Sequence, residues 1–176
     1  DGETAGLSSH LDAAADVMTE ADARGAMRRL YSEMPYRQTL ISVLRRHFAA
    51  LAERVGGSLI HCFAGKDRTG VSVALTHHVL GVHPEDAMQD YLLTNAAVRG
   101  RPFPGNAGRD QERYARLSPA AAEALGGVKE EYLAAALAAM RDSHGSVDAY
   151  LGAVLGVDQA LAERIRERLV ERPAVG

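Results

Sequence analysis

Apolar residues recur at helical spacing through most of the chain. From Glu20 to Met34 they fall at positions i, i+3, i+4 and i+7, which gives a helix one buried and one solvent-facing side. Thr19 with Asp22 three residues later is typical of a helix N-terminus, and Pro35 interrupts the pattern. A second apolar stripe runs through residues 36–54 and ends before a Gly-Gly pair. This part of the chain therefore predicts two amphipathic helices.

A short apolar run, Ser58 to Phe63 (SLIHCF), follows the Gly-Gly pair and leads into a loop that contains glycine. We expect this run to be a buried strand. After the loop, a helix is expected from Val71 to Leu80, where Gly81 ends it. Pro84 suits the first turn of another helix, which we expect to run to about Leu93.

The segment after this helix loses its periodicity, because residues 94–112 are dominated by glycine, proline, asparagine and arginine. We expect a long loop there, and residues 94–118 are a candidate lid over a ligand site. Helices then return within residues 119–172. They are predicted from Pro119 to the Gly126-Gly127 pair, at 128–142, at 146–155 with Ser146 as cap, and at 158–171 with Asp158 as cap.

A single buried strand is not a sheet, because its backbone groups need partners on both edges. Either further strands lie unrecognised within residues 1–57, or the other strands of the sheet belong to sequence outside this chain; we favour the second. The predicted fold class is α/β, mostly helical around one central strand, with part of the sheet missing at the N-terminus. We interpret residues 1–176 as the C-terminal portion of one larger domain.

Composition narrows the class of protein. The 176 residues suit one domain, and 47% hydrophobic with 24% charged residues is ordinary for a globular protein. The net charge of −3 gives no general attraction to nucleic acid, and no apolar run approaches the roughly 18 residues of a membrane span. One cysteine excludes an internal disulfide and favours a reducing, cytoplasmic location. Export stays open, because the chain begins at Asp1 rather than Met.

The segment HCFAGKDRTG, residues 61–70, carries the candidate chemistry. A loop between a strand and a helix turns successive backbone N–H groups inward, and the helix N-terminus adds its dipole, so that the two form an anion site. Gly65 supplies unusual backbone angles, and Arg68 offers a planar fork for two phosphate oxygens. In this field the pKa of Cys62 would fall, which would make it a thiolate at neutral pH. A lone cysteine is more often inert, so the prediction rests on the joint pattern.

The Cys-x5-Arg-Thr pattern in HCFAGKDRTG resembles the signature of cysteine-dependent phosphatases. The wording Gly-Lys-Asp-Arg-Thr-Gly is similar to the atypical bacterial tyrosine phosphatases, whose members also act on phosphoserine, phosphothreonine and phosphoinositides, and DYLLTN at 90–95 resembles the same family. The resemblance implies a phosphatase that hydrolyses phosphotyrosine, and other members of that substrate range, through a phosphocysteine intermediate. It also implies that the domain is catalytic. No metal or other cofactor is expected, because His77 and His78 are adjacent on a helix and the chain has one cysteine without ligand spacing.

The resemblance further implies a role for each position of the loop. Cys62 would attack phosphorus, Arg68 would bind the phosphate, and Thr69 would help the sulfur to leave. Lys66 would add a second cation at the rim, favouring doubly phosphorylated or inositol substrates, and His61 would brace the loop from behind. The remaining substrate-binding positions are Phe63, Ala64 and Gly65.

The sequence leaves two assignments open: the residue that acts as general acid, and the class of activity. Asp67 is the candidate proton donor, but it could instead form a salt bridge that holds the loop, and an acid from a segment N-terminal to this chain is the rival. The alternatives to a phosphatase are a catalytically incomplete phosphate-binding module and, less favoured, a rhodanese-like sulfurtransferase. The expected partner is a phosphorylated protein or phosphoinositide, without nucleic acid and without stable membrane insertion.

Overall fold

A computed structural model describes residues 19–53, 56–98 and 117–170, most of which are helical. The α-helices are α1 (Glu20–Glu33), α2 (Gln38–Glu53), α3 (Asp67–Leu80), α4 (Pro84–Val98), α5 (Pro119–Gly126), α6 (Glu130–His144), α7 (Val147–Tyr150) and α8 (Gln159–Leu169). A 3-10 turn, Met34–Tyr36, joins α1 to α2, and α7 continues into a π-helical turn, Leu151–Leu155.

The predicted helix ends are confirmed where local chemistry sets them. The backbone N–H of Asp22 donates to the Thr19 hydroxyl at 3.2 Å, and the Thr19 N–H donates to the Asp22 carboxylate at 3.0 Å, which completes a capping box. The side chains of Ser146 and Asp158 cap α7 and α8 by accepting from the N–H groups of Ala149 and Leu161. Gly81 ends α3 in the left-handed conformation, with φ of +78°.

The prediction of a buried strand at Ser58–Phe63 is wrong for the structure described. Residues 57–62 have no regular secondary structure, none of residues 58–61 is buried, and Leu59 is 89% exposed. The physical reason is that a strand exists only through pairing, and the described ranges contain no other strand to pair with it. The described ranges therefore contain no sheet that would support the predicted α/β fold class.

The predicted boundary of the loop after α4 is also wrong. The helix continues through residues 94–98 despite their weak periodicity and ends at Val98. The candidate lid at 94–118 thus begins as helix and ends at the start of α5, and its part at 99–116 lies outside the described residues.

Two groups of helices form the core. Helix α1 packs against α5 and α6, and α3 packs against α4 and α8. The apolar faces meet in one cluster that includes Tyr31, Leu75 and Tyr132, all fully buried. Helix α3 is therefore held on several sides, and the loop that precedes it is attached to a rigid element. No helix among the described residues has both the length and the apolar character to cross a membrane.

Candidate active site

The loop at residues 61–66 turns directly into the N-terminus of α3. Gly65 has φ of +65°, in the left-handed region that a side chain would strain, which confirms its predicted role in the turn. Lys66 is the N-cap residue and provides no side-chain hydrogen bond to the first turn. The first N–H groups of α3 are thus left without a side-chain cap on the side where an anion would be bound.

Gly70 is required by a close contact in the first turn of α3. A Cβ added at this position would lie 2.7 and 2.8 Å from two ring atoms of Tyr91 in α4. The Tyr91 side chain is buried, so its ring could not simply move into solvent. The absence of a side chain at Gly70 therefore allows α4 to lie close against the end of the loop.

Cys62 lies half-buried in this loop as a free thiol. Burial raises the pKa of the Cys62 thiol, but contacts with Thr69, the backbone N–H of Lys66 and the positive charge of Arg68 together lower it, and the net pKa lies below the ordinary value. The lowering groups all come from the loop or the first turn of α3. The arrangement therefore favours the thiolate that the sequence predicts.

The pH dependence of Cys62 reactivity follows from this shift. In the folded chain, alkylation by iodoacetamide is expected to stay fast at pH values below the ordinary thiol pKa of about 8.5, because the thiolate persists there. Unfolding in urea should move the inflection up to that ordinary value. The same shift stabilises the fold above the ordinary pKa, and this contribution is lost as pH falls through the lower folded pKa. Measuring alkylation rate against pH for both states tests the claim; identical inflections would contradict it.

Thr69 and Arg68 present the other groups that an anion would meet. The Thr69 hydroxyl is near enough to lower the pKa of Cys62, yet its buried oxygen forms no full hydrogen bond with any described residue. Arg68 is half-buried and makes no ion pair with the described part of the chain. A bound phosphate would give both side chains a partner.

Lys66 differs from the role that the family resemblance implied. Its side chain is 1% exposed, and its ammonium donates to the carbonyl oxygens of Leu125 at 2.6 Å and Gly127 at 3.2 Å. It also lies 3.4 Å from a carboxylate oxygen of Asp67. The rim position is corrected to an interior one, because these oxygens satisfy the buried charge away from solvent. Lys66 meets the site through its backbone N–H, which faces Cys62.

Asp67 is as deeply placed as its neighbour, with 2% of its surface exposed. Its Oδ1 accepts a hydrogen bond of 2.8 Å from the Tyr31 hydroxyl and pairs with the Lys66 ammonium. These contacts match the alternative in which Asp67 holds the loop by a salt bridge, here with Lys66.

The remaining predicted positions line the exposed side of the loop. The Phe63 side chain is 57% exposed beside Cys62, and Ala64 is half-buried. His61 is exposed and therefore does not brace the loop from behind; its neighbours 58–60 are not buried either, so no described element covers it. The described residues contain no cluster of side chains suited to a metal ion.

Sequence reasoning missed three residues that contact the loop or its anchors, namely Tyr31, Tyr91 and Asn95. Tyr91 and Asn95 lie in the DYLLTN segment, which we had interpreted only as a family likeness. Their spacing of i, i+4 places them on one face of α4, and a polar asparagine on the same face as a buried tyrosine was the available signal.

With this geometry established, comparison with known proteins assigns the chain to a family. A sequence profile of the tyrosine phosphatase family matches residues 4–171, and the chain belongs to this family. The cysteine loop, its glycine turn and the helix that follows are the part of the chain to which the family resemblance first pointed.

Individual relatives carry the same kind of name. A Cupriavidus necator protein named "Putative tyrosine-protein phosphatase" is 34% identical over 150 residues, covering 81% of this chain and 50% of that protein. The Mycobacterium tuberculosis triple specificity protein phosphatase PtpB is 34% identical over 152 residues, covering 77% and 51%. A tyrosine-protein phosphatase of Nostoc commune is 27% identical over 126 residues, covering 67% and 40%. The chain thus spans about half the length of the first two relatives.

Proposed function

We propose that the chain carries the phosphate-binding loop of a protein phosphatase that hydrolyses phosphotyrosine through Cys62. The observation that carries this proposal is the environment of the thiol. Its pKa is lowered from the ordinary value by Thr69, by the N–H of Lys66 and by the charge of Arg68, all of which also suit a bound phosphate. The same positive electrostatic field thus favours the thiolate form of the nucleophile and the binding of an anionic substrate.

The proposed reaction has two displacement steps. In the first, the Cys62 thiolate forms a sulfur–phosphorus bond while the bond from phosphorus to the tyrosine oxygen breaks, and that oxygen takes up a proton. In the second, water attacks phosphorus, the sulfur–phosphorus bond breaks, and inorganic phosphate leaves. Arg68 would hold the phosphoryl oxygens in both steps, and the Thr69 hydroxyl would donate to the sulfur as it leaves.

The buried position of Lys66 affects which substrates we propose. A phosphoinositide or doubly phosphorylated substrate was favoured by a cation at the rim, and Lys66 does not lie there. Phosphotyrosine fits the family and the names of the relatives, so we propose it as the main substrate class. Phosphoserine, phosphothreonine and phosphoinositide hydrolysis remain proposals that draw on the family resemblance, and one relative is named a triple specificity protein phosphatase. A free catalytic thiol also supports the proposed reducing, cytoplasmic location.

We assign Asp67 the role of holding the loop rather than of donating the proton. Its carboxylate is 2% exposed and is engaged by Tyr31 and Lys66, whereas a general acid must reach the leaving oxygen. For the proton donor we propose the rival given by the sequence, an acid from a segment N-terminal to this chain.

Release of inorganic phosphate from matched peptides tests the proposed function. We expect turnover of a phosphotyrosine peptide to exceed that of the phosphoserine peptide of the same sequence, and vanadate to inhibit both. Asp67→Asn should lower turnover of aryl and alkyl phosphates by the same factor; a selectively larger loss on alkyl phosphates would restore Asp67 as proton donor. Phosphate binding without any turnover would contradict the proposed phosphatase and support the alternative, a catalytically incomplete phosphate-binding module.

A further inference from the structure

A chain of buried hydrogen bonds lies behind the phosphate loop. The Tyr91 hydroxyl donates to the Tyr31 hydroxyl at 2.8 Å, and the Tyr31 hydroxyl donates to Asp67 Oδ1 at 2.8 Å. The Lys66 ammonium lies 3.4 Å from the same carboxylate oxygen. Every member is at most 3% exposed. Each hydroxyl thus donates toward the charged pair, and in a low-dielectric interior such aligned bonds strengthen one another.

The Lys66 end of this series of hydrogen bonds is also fixed by two backbone carbonyl oxygens. Lys66 donates to the carbonyl oxygens of Leu125 and Gly127, in the turn between α5 and α6. Asn95 fixes that turn, since its carbonyl oxygen accepts from the Val128 N–H at 2.8 Å and its amide donates to the Val128 carbonyl at 2.9 Å. A Cβ at Gly127 would lie 2.8 Å from the same Asn95 oxygen, so the turn is fitted to this side chain.

Helix α4 connects the Asp67 side of this hydrogen-bond network with its Lys66 side. Tyr91 and Asn95 stand one helical turn apart on it, and Tyr91 also packs its ring against Gly70 in the first turn of α3. Through Tyr91, α4 is linked to Asp67 and to the first turn of α3. Through Asn95, α4 is linked to the turn that holds the Lys66 ammonium.

We propose that Tyr31, Tyr91 and Asn95 are positioning residues that set the backbone of the phosphate loop from behind. Lys66 and Asp67 are consecutive residues whose side chains are fixed in the interior, while the Lys66 N–H faces the Cys62 thiol. Movement of either side chain would therefore turn the loop N–H groups away from the sulfur and from a bound phosphate. Such groups act strongly only when their geometry is held in advance.

The proposal rests on the proposed function only in treating the loop as a phosphate site. Its test uses Tyr31→Phe, which keeps the ring and removes the donor to Asp67. Tyr150→Phe is the matched control, because Tyr150 is equally buried and its hydroxyl donates at 2.6 Å to the Pro35 carbonyl, outside this network. The measured quantities are the pKa of Cys62 from alkylation against pH, the affinity for inorganic phosphate from protection of Cys62, and the melting temperature.

We expect Tyr31→Phe to raise the pKa of Cys62 by about one unit and to weaken phosphate binding about tenfold. Tyr150→Phe should lower the melting temperature comparably and leave the pKa and the phosphate affinity unchanged. Equal pKa values and phosphate affinities in the two variants would overturn the proposal. If Tyr31→Phe does not fold, Tyr91→Phe decides, with the same directions and smaller shifts.

Failure of the proposed function gives a different result. A wild-type chain that binds phosphate but hydrolyses no phosphomonoester would refute the phosphatase reaction, while both readouts of Tyr31→Phe would still decide the positioning role. If the wild-type chain does not bind phosphate at all, the alkylation pKa alone decides it.

Discussion

Replacing Cys62 with serine is expected to abolish phosphate release from a phosphotyrosine peptide while preserving phosphate binding. A serine hydroxyl is nearly isosteric with the thiol, but the field of this loop cannot ionise it at neutral pH. The loop N–H groups, the N-terminus of α3 and Arg68 all remain to hold the anion. By analogy with other covalent catalysts, loss of the nucleophile should cost about four orders of magnitude or more in turnover.

The chain offers a clean background for this measurement, because Cys62 is its single cysteine. Turnover should be followed together with isothermal titration of vanadate or inorganic phosphate, and the variant's melting temperature should match that of the wild type. Residual turnover above about a tenth of the wild-type rate would show that another group attacks phosphorus.

The second large effect is expected on stability. Lys66→Met should lower the free energy of unfolding by about 3–5 kcal/mol, because it removes the ammonium that lies 3.4 Å from the buried Asp67 carboxylate. The Leu125 and Gly127 carbonyl oxygens would also lose their donor. For a domain of this size, the loss corresponds to a melting temperature lower by about 10 °C. Urea denaturation and calorimetry provide the measurement.

Two further variants distinguish a Lys66 that stabilises the interior from a Lys66 that lies at the rim of the site. Lys129→Met removes a half-exposed lysine that provides no side-chain cap, and it should change stability by no more than about 0.5 kcal/mol. Adding Asp67→Leu to Lys66→Met should recover part of the loss, since the buried carboxylate is then removed together with the ammonium. If Lys66→Met is as stable as the wild type and weakens only doubly phosphorylated ligands, the lysine is at the rim after all.

Local signals were sufficient to predict most helices and the reactive loop. The Thr19–Asp22 capping box, the terminal Gly81 and the left-handed Gly65 all depend on residues within a few positions of one another. The same holds for Cys62, whose pKa-lowering groups lie within the next seven residues. Short-range chemistry of this kind can be recognised in a single sequence.

Predictions that depended on distant partners were wrong or incomplete. The apolar run at 58–63 was interpreted as a strand, but strand formation depends on a neighbour that the local pattern does not specify. The family resemblance placed Lys66 at the rim, whereas the carbonyl oxygens that accept from its ammonium lie about sixty residues further along the chain. Tyr31 and Asp67 meet across 36 positions, which no periodicity reveals.

The most direct test of the central claim is to detect the phosphoryl group on Cys62 during turnover. The chain would be mixed with a phosphotyrosine peptide, quenched rapidly into denaturant, digested and analysed by mass spectrometry. We predict one added phosphoryl group on the peptide that contains Cys62, appearing before inorganic phosphate is released and absent from Cys62→Ser. Hydrolysis that proceeds at full rate without this adduct, or with the phosphoryl group on another residue, would contradict the account.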